Sequence, residues 1–302
     1  MSTKPLDTNT LLFNGAGVLL GVFLVGYVLK SAVTTEHQPP CSTRYPAATL
    51  LPFESEPGAP FSPIELQARF GITEQNVLEN MEAVAGSGGA AHTVLDVKLG
   101  RAAFKNNPAP KGGASFQWRP IGMEQPIAAC LSYSYFLQDG FDFSKTGGIL
   151  PGLYGAEQTT EDGQRADKWK FATRVVWHED SVGGVFVDNP SGPEIDPLTV
   201  IDPGHYQVQS GRWVAIEQEV VLNTPGQSDG VIRLYVDGEL KVENSAATLR
   251  DSDTIKLKGV LADVNFAGAA GWSGPPRVDA DVSVRFSTFE VRWIDRAEPA
   301  TQ

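Results

Sequence analysis

The chain has 302 residues, of which 41% are hydrophobic, so it is long enough for one large domain or two ordinary ones with a real core. Its formal net charge of −12 argues against binding nucleic acid through a generally basic surface and favours solubility. An acidic polysaccharide remains compatible with this charge if the protein offers it a local basic groove.

The first predicted element is an uncharged apolar segment at residues 11–29, behind a short tail at residues 1–10. As a helix with a rise of about 1.5 Å per residue, this segment would span roughly 28 Å, close to the thickness of the hydrocarbon core of a bilayer. A cleaved signal peptide is the alternative, but its apolar region is usually shorter, about 7–15 residues. We therefore expect a single-pass membrane anchor.

Residues 30–60 are rich in Pro, Ser, Thr and Glu and lack sustained periodicity, which predicts a tether. A helical segment is predicted next, over residues 61–87. Its first helix has the N-cap and first-turn signature of Ser62 and Pro63, and a second helix is expected to run through Met81.

No spacing of cysteine or histidine in the sequence predicts a metal site. The four histidines are scattered, at His37, His92, His178 and His205. Cys41 and Cys130 could pair if the domain lies outside the cytoplasm, and the sequence leaves that open. We expect no cofactor and no metal.

From residue 88 to residue 296 the chain alternates apolar and polar residues almost throughout, which is typical of β-strands. In "CLSYSYFL", for example, Leu131, Tyr133 and Tyr135 share one face. Asp237-Gly238 between two such runs predicts a tight hairpin. About ten strands without long helices between them predict an all-β, two-sheet antiparallel sandwich of the jelly-roll kind, followed by a tail at residues 297–302.

Four motifs occur in order: "QDGFDFSKTGGILPGLYG", "KFATRVVWHEDSVGGVFVDNP", "GRWVAIEQEVVLNTPGQSDGVIRLYVDGEL" and "FAGAAGWSGPPRVDADVSVRFSTFEV". Together, over roughly residues 125–294, they resemble the polysaccharide lyase family 14, whose members include alginate lyases. The resemblance implies a jelly roll whose concave sheet holds a uronic-acid polymer and cleaves it by β-elimination. It does not extend to the anchor, the tether or the helical segment.

The residues that the resemblance would make catalytic are only partly present. The lysine that usually follows Gly-Gly is Ile149, and the serine two residues before the matching Arg174 is Ala172. The tyrosines expected on the next strand fall near Val185 and Val187. β-Elimination needs a cation or amide to neutralise the substrate carboxylate, a base to remove a proton and an acid to protonate the leaving oxygen. The usual set for these tasks is therefore mostly missing.

Other residues could take over these tasks, and each has a structural alternative. The catalytic candidates are Arg174, Lys170, Lys145, Tyr135 and His178. The substrate-binding candidates are Gly147, Gly148, Tyr154, Tyr133 and Trp272. The alternatives are an ion pair for Arg174, a solvated loop charge for Lys145, core packing for both Tyr133 and Tyr135, a turn at His178, and packing of Trp272 on neighbouring prolines.

Three hypotheses follow: a membrane-anchored lyase with a remodelled active site, a glycan-binding module without catalysis, and a structural subunit of a membrane assembly. The expected partners are an acidic polysaccharide, the membrane through residues 11–29, and membrane proteins in the third case. Because the downstream domain resembles a glycan-directed one, we expect it to lie outside the cytoplasm, in the periplasm or at the cell surface.

Overall fold

The structure is a computed structural model that describes residues 38–70, 76–86, 93–99, 112–124, 126–145, 147–157, 169–178, 181–189, 198–201, 206–267 and 281–295. The predicted anchor at residues 11–29 and both predicted tails lie outside these ranges. Within them, no helix is both long and apolar enough to cross a membrane.

Part of the segment predicted as a tether is folded. A 3-10 helix at Cys41–Thr43 is followed by three short strands, β1 (Ala47–Leu51), β2 (Glu54–Glu56) and β3 (Ala59–Pro60). β1 pairs antiparallel with residues 289–293 near the end of the chain, and Phe53 and Phe61 are buried in the core. These strands have only two to five residues, too few for their alternation to stand out in the sequence.

The helical segment begins as predicted and ends earlier. In α1 (Pro63–Phe70), the Ser62 N–H donates to Glu65 Oε2 at 2.8 Å and the Glu65 N–H donates to Ser62 Oγ at 3.4 Å, which is a capping box. The second helix is a single turn, α2 (Val77–Asn80), and β4 (Met81–Ala85) follows at once. Met81 therefore begins a strand, where the sequence predicted that it would continue a helix.

The remaining strands form two sheets. They are β5 (Thr93–Lys98), β6 (Ala114–Trp118), β7 (Pro126–Leu137), β8 (Gly147–Glu157), β9 (Trp169–Trp177), β10 (Gly183–Asp188), β11 (Leu198–Ile201), β12 (Trp213–Val221), β13 (Gly230–Val236), β14 (Glu239–Ala247), β15 (Ile255–Ala267), β16 (Ser283–Phe286) and β17 (Phe289–Asp295). The larger sheet has the order β14-β13-β12-β7-β16-β5-β4, with β17 also on β7 and β1 on β17. The smaller sheet has the order β11-β10-β9-β8-β15-β6. The prediction of an all-β protein built from antiparallel sheets is confirmed.

The two sheets enclose one apolar core. Leu131, Tyr133 and Tyr135 face it from β7, and Phe171 and Trp177 face it from β9. Because strand side chains alternate, the residues between them lie on the outer face of each sheet, the side turned away from this core. Any site for an extended polymer on the smaller sheet has to be built from those outer residues.

The structure also settles two pairings that the sequence raised, a hairpin and a disulfide. Asp237 and Gly238 join β13 to β14 with φ of 51° and 81°, as in a tight hairpin with two left-handed residues, so the predicted hairpin is confirmed. Cys41 and Cys130 form a disulfide with a Cα–Cα distance of 5.7 Å. It ties the 3-10 helix to the outer face of the larger sheet.

Candidate functional site

The candidate site is the outer face of the smaller sheet, where β9 lies between β8 and β10. The register places Arg174 opposite Gly152 on β8 and opposite Phe186 on β10. Two residues earlier on β9, Ala172 lies opposite Tyr154 and Asp188 in the same way. The alternation of β9 thus brings Arg174 to the outer face of the smaller sheet.

Arg174 is a paired and buried ion on this face. Its Nη1 donates to Asp263 Oδ2 at 2.8 Å and its Nη2 donates to Asp188 Oδ2 at 3.0 Å, while 4% of its side chain is exposed. Asn265 donates to the other oxygen of Asp263 at 2.7 Å, and the Phe186 ring lies 5.0 Å from the guanidinium carbon. The Nε atom is buried and has no hydrogen-bond partner. Arg174 therefore forms ion pairs, as its structural alternative proposed.

Beside the Arg174 ion pairs, the same face carries an apolar cluster. Tyr154, Ala156, Ala172 and Leu261 are buried together, and the half-buried Trp169 packs against them. Tyr154 thus lies on the candidate face. Because these side chains are buried, this half of the face is not an open trough over which a sugar could lie.

The other charged candidates lie towards the ends of the strands. Lys170 Nζ is 2.9 Å from Glu157 Oε1, in a partly exposed pair. The His178 backbone N–H donates to the Val182 carbonyl at 2.8 Å and so closes the turn to β10, and burial lowers the pKa of His178. Lys145 ends a 3-10 helix at Phe143–Lys145. Trp272 lies outside the described residues.

Tyr133 and Tyr135 lie in the core between the sheets, so the structure does not place them on the candidate face. The Tyr133 hydroxyl donates to the Pro151 carbonyl at 3.0 Å, and the Tyr135 hydroxyl accepts the Gln209 backbone N–H at 3.3 Å. Burial raises the pKa of both phenols. Both tyrosines share a face with Leu131, and that face packs against the smaller sheet.

The glycine-rich stretch at 147–155 is a strand with an irregular middle. The register of β8 shifts between Ile149 and Gly152, and Pro151 has no N–H to give to a ladder. Two hydrogen bonds from the larger sheet support this part: Tyr133 donates to the Pro151 carbonyl, and Gln218 Oε1 accepts the Leu153 N–H at 3.0 Å. Side chains inside the sandwich thus stabilise the irregular part of β8.

Two glycines of this stretch make room for aromatic rings of the core. A Cβ on Gly148 would lie 2.0 Å from the Trp177 ring, and a Cβ on Gly155 would lie 2.1 Å from the Phe171 ring. Gly147 is the first residue of β8. Close packing on β9 therefore accounts for Gly148, for which the sequence suggested close approach of a sugar.

The register also shows which residues of β10 face outward. Val185 lies opposite Val175 and belongs to the core, and Val187 packs against the core. The outward residues are Phe186 and Asp188, a ring without a hydroxyl and the carboxylate bound to Arg174. Among Ile149, Ala172 and Arg174, which face outward, Arg174 alone matches the residue that the family resemblance implies.

The "NTPG" part of the third motif has a structural role. The buried Asn223 Oδ1 accepts the backbone N–H groups of Leu249 and Arg250, both at 2.9 Å. Its Nδ2 lies 2.9–3.0 Å from the carbonyls of Thr224, Gln227 and Arg250. One side chain thereby joins the loop after β12 to the loop after β14.

A second buried ion, which no sequence pattern identified, lies on the outer face of the larger sheet. Glu219 has a 1% exposed side chain and accepts hydrogen bonds from Arg44, Tyr45 and Arg233 at 2.6, 2.5 and 3.0 Å. Burial by itself would raise the pKa of Glu219, but these hydrogen bonds outweigh it and hold the pKa below its usual value. The sequence signal was weak: Glu217 and Glu219 alternate outward on β12, as solvated residues also do.

A grouping with the geometry of a metal site also lies on the outer face of the larger sheet. Cys41, Cys130 and Glu217 have their ligand-type atoms within 4.8 Å of one another. Both sulfur atoms form the disulfide, so neither is available as a thiolate ligand.

The comparisons with known proteins agree with the resemblance seen in the motifs. A family model described as polysaccharide lyase 14 matches residues 88–287. The crystal structure of the marine PL-14 alginate lyase from Aplysia kurodai aligns with a TM-score of 0.64 and 18% identity, over 83% of this chain and 99% of that one. At these identities a structural match shows the fold alone.

Two further solved structures match less closely. The alginate lyase vAL-1 from Chlorella virus aligns with a TM-score of 0.56 and 19% identity, over 71% of this chain and 90% of that one. The endo-beta-1,4-glucuronan lyase from the fungus Trichoderma reesei aligns with a TM-score of 0.50 and 10% identity, over 75% and 90%. A comparison with the sequences of curated proteins finds no significant match.

Proposed function

The chain belongs to the polysaccharide lyase 14 family, and on that premise we propose that it binds polysaccharide without cleaving it. Family membership supports binding, and the observation that argues against cleavage is the state of Arg174. The cation that would hold a uronate carboxylate is buried and already bound to Asp188 and Asp263. A substrate carboxylate approaching it would meet one positive and two negative charges, so repulsion opposes the contact.

The candidate face also offers few side chains for the proton transfers of β-elimination. On the candidate face Phe186 has no titratable group, and neither has Ile149, which stands where the family resemblance implies an amine. Proton transfer requires the acid or base to lie within about 2.6–3.2 Å of the reacting group, directly or through one water. Tyr133 and Tyr135 are between the sheets and cannot reach a sugar on the outer face without a rearrangement of the core.

A turnover assay on the full-length chain tests the proposal. Alginate and glucuronan, the polymers named for the neighbouring lyases, are the first ligands to try. We expect no rise in the ultraviolet absorbance of an unsaturated uronate product, and retardation of the protein in a gel that contains the polymer. A member of the family with known activity serves as the positive control. A steady absorbance rise would refute the proposal.

The second candidate is a lyase with a remodelled active site. It is favoured by one observation: Arg174 keeps its position, and Tyr154 lies on the same face of the neighbouring strand. In that case Tyr154→Phe would abolish turnover without changing polymer binding. If the wild-type chain shows no turnover on any polyuronate, this candidate is eliminated.

We further propose that the domain lies outside the cytoplasm behind a membrane anchor at residues 11–29. The Cys41–Cys130 disulfide supports this location, because such bonds persist in oxidising compartments and are rare in the cytosol. Cell fractionation, with protease added to intact cells, tests both parts: the domain should be membrane-bound and accessible. Co-purification with a fixed set of membrane proteins would instead favour a structural subunit.

A further inference from the structure

A cleft of about 260 Å³ lies at one end of the sandwich, away from the candidate face. The loop at 206–212, the start of β12 and the hairpin between β13 and β14 enclose it. Its polar lining consists of Gln207, Gln209, Arg212, Asp237, Glu239 and Lys241. The volume is slightly below the roughly 300–1,000 Å³ of sites for drug-sized ligands, so it suits a small ligand or one unit of a polymer.

The rim of this end cleft is held in place by Arg212. Its guanidinium donates to the side chain of Gln209, to the Trp213 carbonyl at 2.9 Å and to Asp237. Asp237 in turn accepts the Ala215 N–H at 2.9 Å. Arg212 thus ties the loop to the hairpin, and a ligand would meet groups that are already positioned, which lowers the entropy cost of binding.

The charges in the end cleft cancel. Arg212 pairs with Asp237, and Lys241 Nζ pairs with Glu239 Oε2 at 2.5 Å. Two cations and two carboxylates give a formal charge of zero, so the cleft has no excess charge with which to attract an anion or a cation. This distinguishes it from a site for a uronate carboxylate.

Hydrogen-bonding capacity nevertheless remains in the end cleft. Among the described residues, the Gln207 side chain and the Gln209 amide nitrogen have no protein partner, and Lys241 has three N–H donors of which one is engaged. These groups include both donors and acceptors. A hydroxyl group, which donates and accepts at once, matches such a mixed set.

The rest of the lining is Val214, Val236 and Tyr206, all buried. The two valines and the Tyr206 ring add apolar surface, and the Tyr206 hydroxyl has no hydrogen-bond partner. An apolar surface beside polar groups suits a ring that has C–H groups on its faces and hydroxyls at its edge. We propose that the end cleft binds one unit of an uncharged, hydroxyl-rich ligand, a neutral sugar ring. This site is separate from the outer face of the smaller sheet and does not depend on the function proposed there.

Isothermal titration of the full-length chain, in a detergent without a sugar headgroup, tests this inference. The probes are maltotriose, cellotriose and mannotriose, with a mannuronate trisaccharide as the acidic comparison. The Glu239→Ala/Lys241→Ala variant removes one acceptor and one donor and keeps the charge of the cleft at zero. The Glu82→Ala/Lys98→Ala variant is the matched control, on β4 and β5 at the opposite edge of the larger sheet.

We expect saturable binding of at least one neutral trisaccharide, weakened at least tenfold in the cleft variant and less than twofold in the control. The inference is overturned if no neutral probe binds, if the cleft variant binds as the wild type does, or if the acidic probe binds this site equally well. Uronate binding that survives in the cleft variant belongs to another surface, so the two proposals fail independently.

Discussion

The two sheets each carry a buried ion on the outer face, and the two ions have opposite charges. On the larger sheet, the carboxylate of Glu219 lies between Arg44 and Arg233. On the smaller sheet, the guanidinium of Arg174 lies between Asp188 and Asp263. Formally, the first cluster has a net charge of +1 and the second a net charge of −1.

The first cluster fastens residues 41–45, the N-terminal segment, to the larger sheet. Arg44 and Tyr45 follow the 3-10 helix, so their bonds to Glu219 fasten this segment to β12 beside the disulfide. No catalytic task was expected of these residues. Arg174 has the same construction, a buried ion saturated by two opposite charges, although it stands at a position that the family resemblance makes catalytic. The likeness of the two clusters argues that Arg174 is structural in this chain.

The largest effect is expected from removing the ion at the centre of the smaller sheet. Arg174→Met leaves Asp263 buried without its counter-charge, and loss of one partner of a buried pair costs about 3–5 kcal/mol. Urea unfolding followed by circular dichroism measures it. Lys170→Met is the control, because its pair with Glu157 is partly exposed and should be worth less than about 1 kcal/mol. If the two variants were equally stable, the Arg174 ion pairs would contribute no more than a partly exposed pair, and Arg174 would not be comparable to Glu219.

The next effect concerns the fastening of the N-terminal segment on the larger sheet. Cys41→Ala/Cys130→Ala removes a cross-link between residues 89 positions apart and should lower the free energy of unfolding by about 2–4 kcal/mol. A reducing agent should lower the stability of the wild type and leave that of the variant unchanged. If the reductant has no effect on the wild type, the hydrogen bonds to Glu219 suffice to hold the segment.

A smaller effect is expected for one hydrogen bond of the Glu219 cluster. Tyr45→Phe removes a hydroxyl that donates to a buried carboxylate, a bond worth about 1.5–3 kcal/mol. Tyr206→Phe is the control, since its hydroxyl is buried and lacks a hydrogen-bond partner. Unfolding curves should show a loss for the first variant and almost none for the second; the reverse order would mean that the Tyr45 bond is not formed in solution.

The smallest and most specific effect is the pH dependence of the stability that Glu219 contributes. The pKa of Glu219 is lower in the folded protein than its usual value, so its stabilising effect is complete above that usual value and is lost as the pH falls through the folded pKa. The stability difference between the wild type and Glu219→Gln should therefore shrink from about pH 6 to about pH 3. Denaturation at a series of pH values measures it. A difference that grows on acidification would contradict the lowered pKa.

Much of the fold could be predicted from local patterns. Strand alternation in β7 placed Leu131, Tyr133 and Tyr135 on one face, and the Asp237-Gly238 pair identified its hairpin. Ser62 and Pro63 identified the start of α1. Each of these signals lies within a few residues, because side-chain direction and turn geometry are set by neighbouring backbone angles.

The candidate site could be predicted only in part. The period of two put Arg174 on the outer face of its sheet, but no local pattern could identify Asp263, 89 residues away, as its partner. The same applies to the irregular part of β8, where the supporting groups come from Tyr133 and Gln218 on the other sheet. Nor could the sequence tell which residues of β10 face outward, because a motif match leaves the phase of a strand uncertain by one residue.

The sequence by itself determined the class of this protein, an antiparallel β-sandwich of the polysaccharide lyase 14 family. It also showed two cysteines that could form a disulfide. The tertiary structure decided that Arg174 meets two carboxylates and not solvent, and that the disulfide, Arg44 and Tyr45 fasten residues 41–45 to the larger sheet. The physical reason is that the charge state and accessibility of a side chain depend on what surrounds it in space. Those neighbours come from strands that are brought together only by the register and packing of the two sheets.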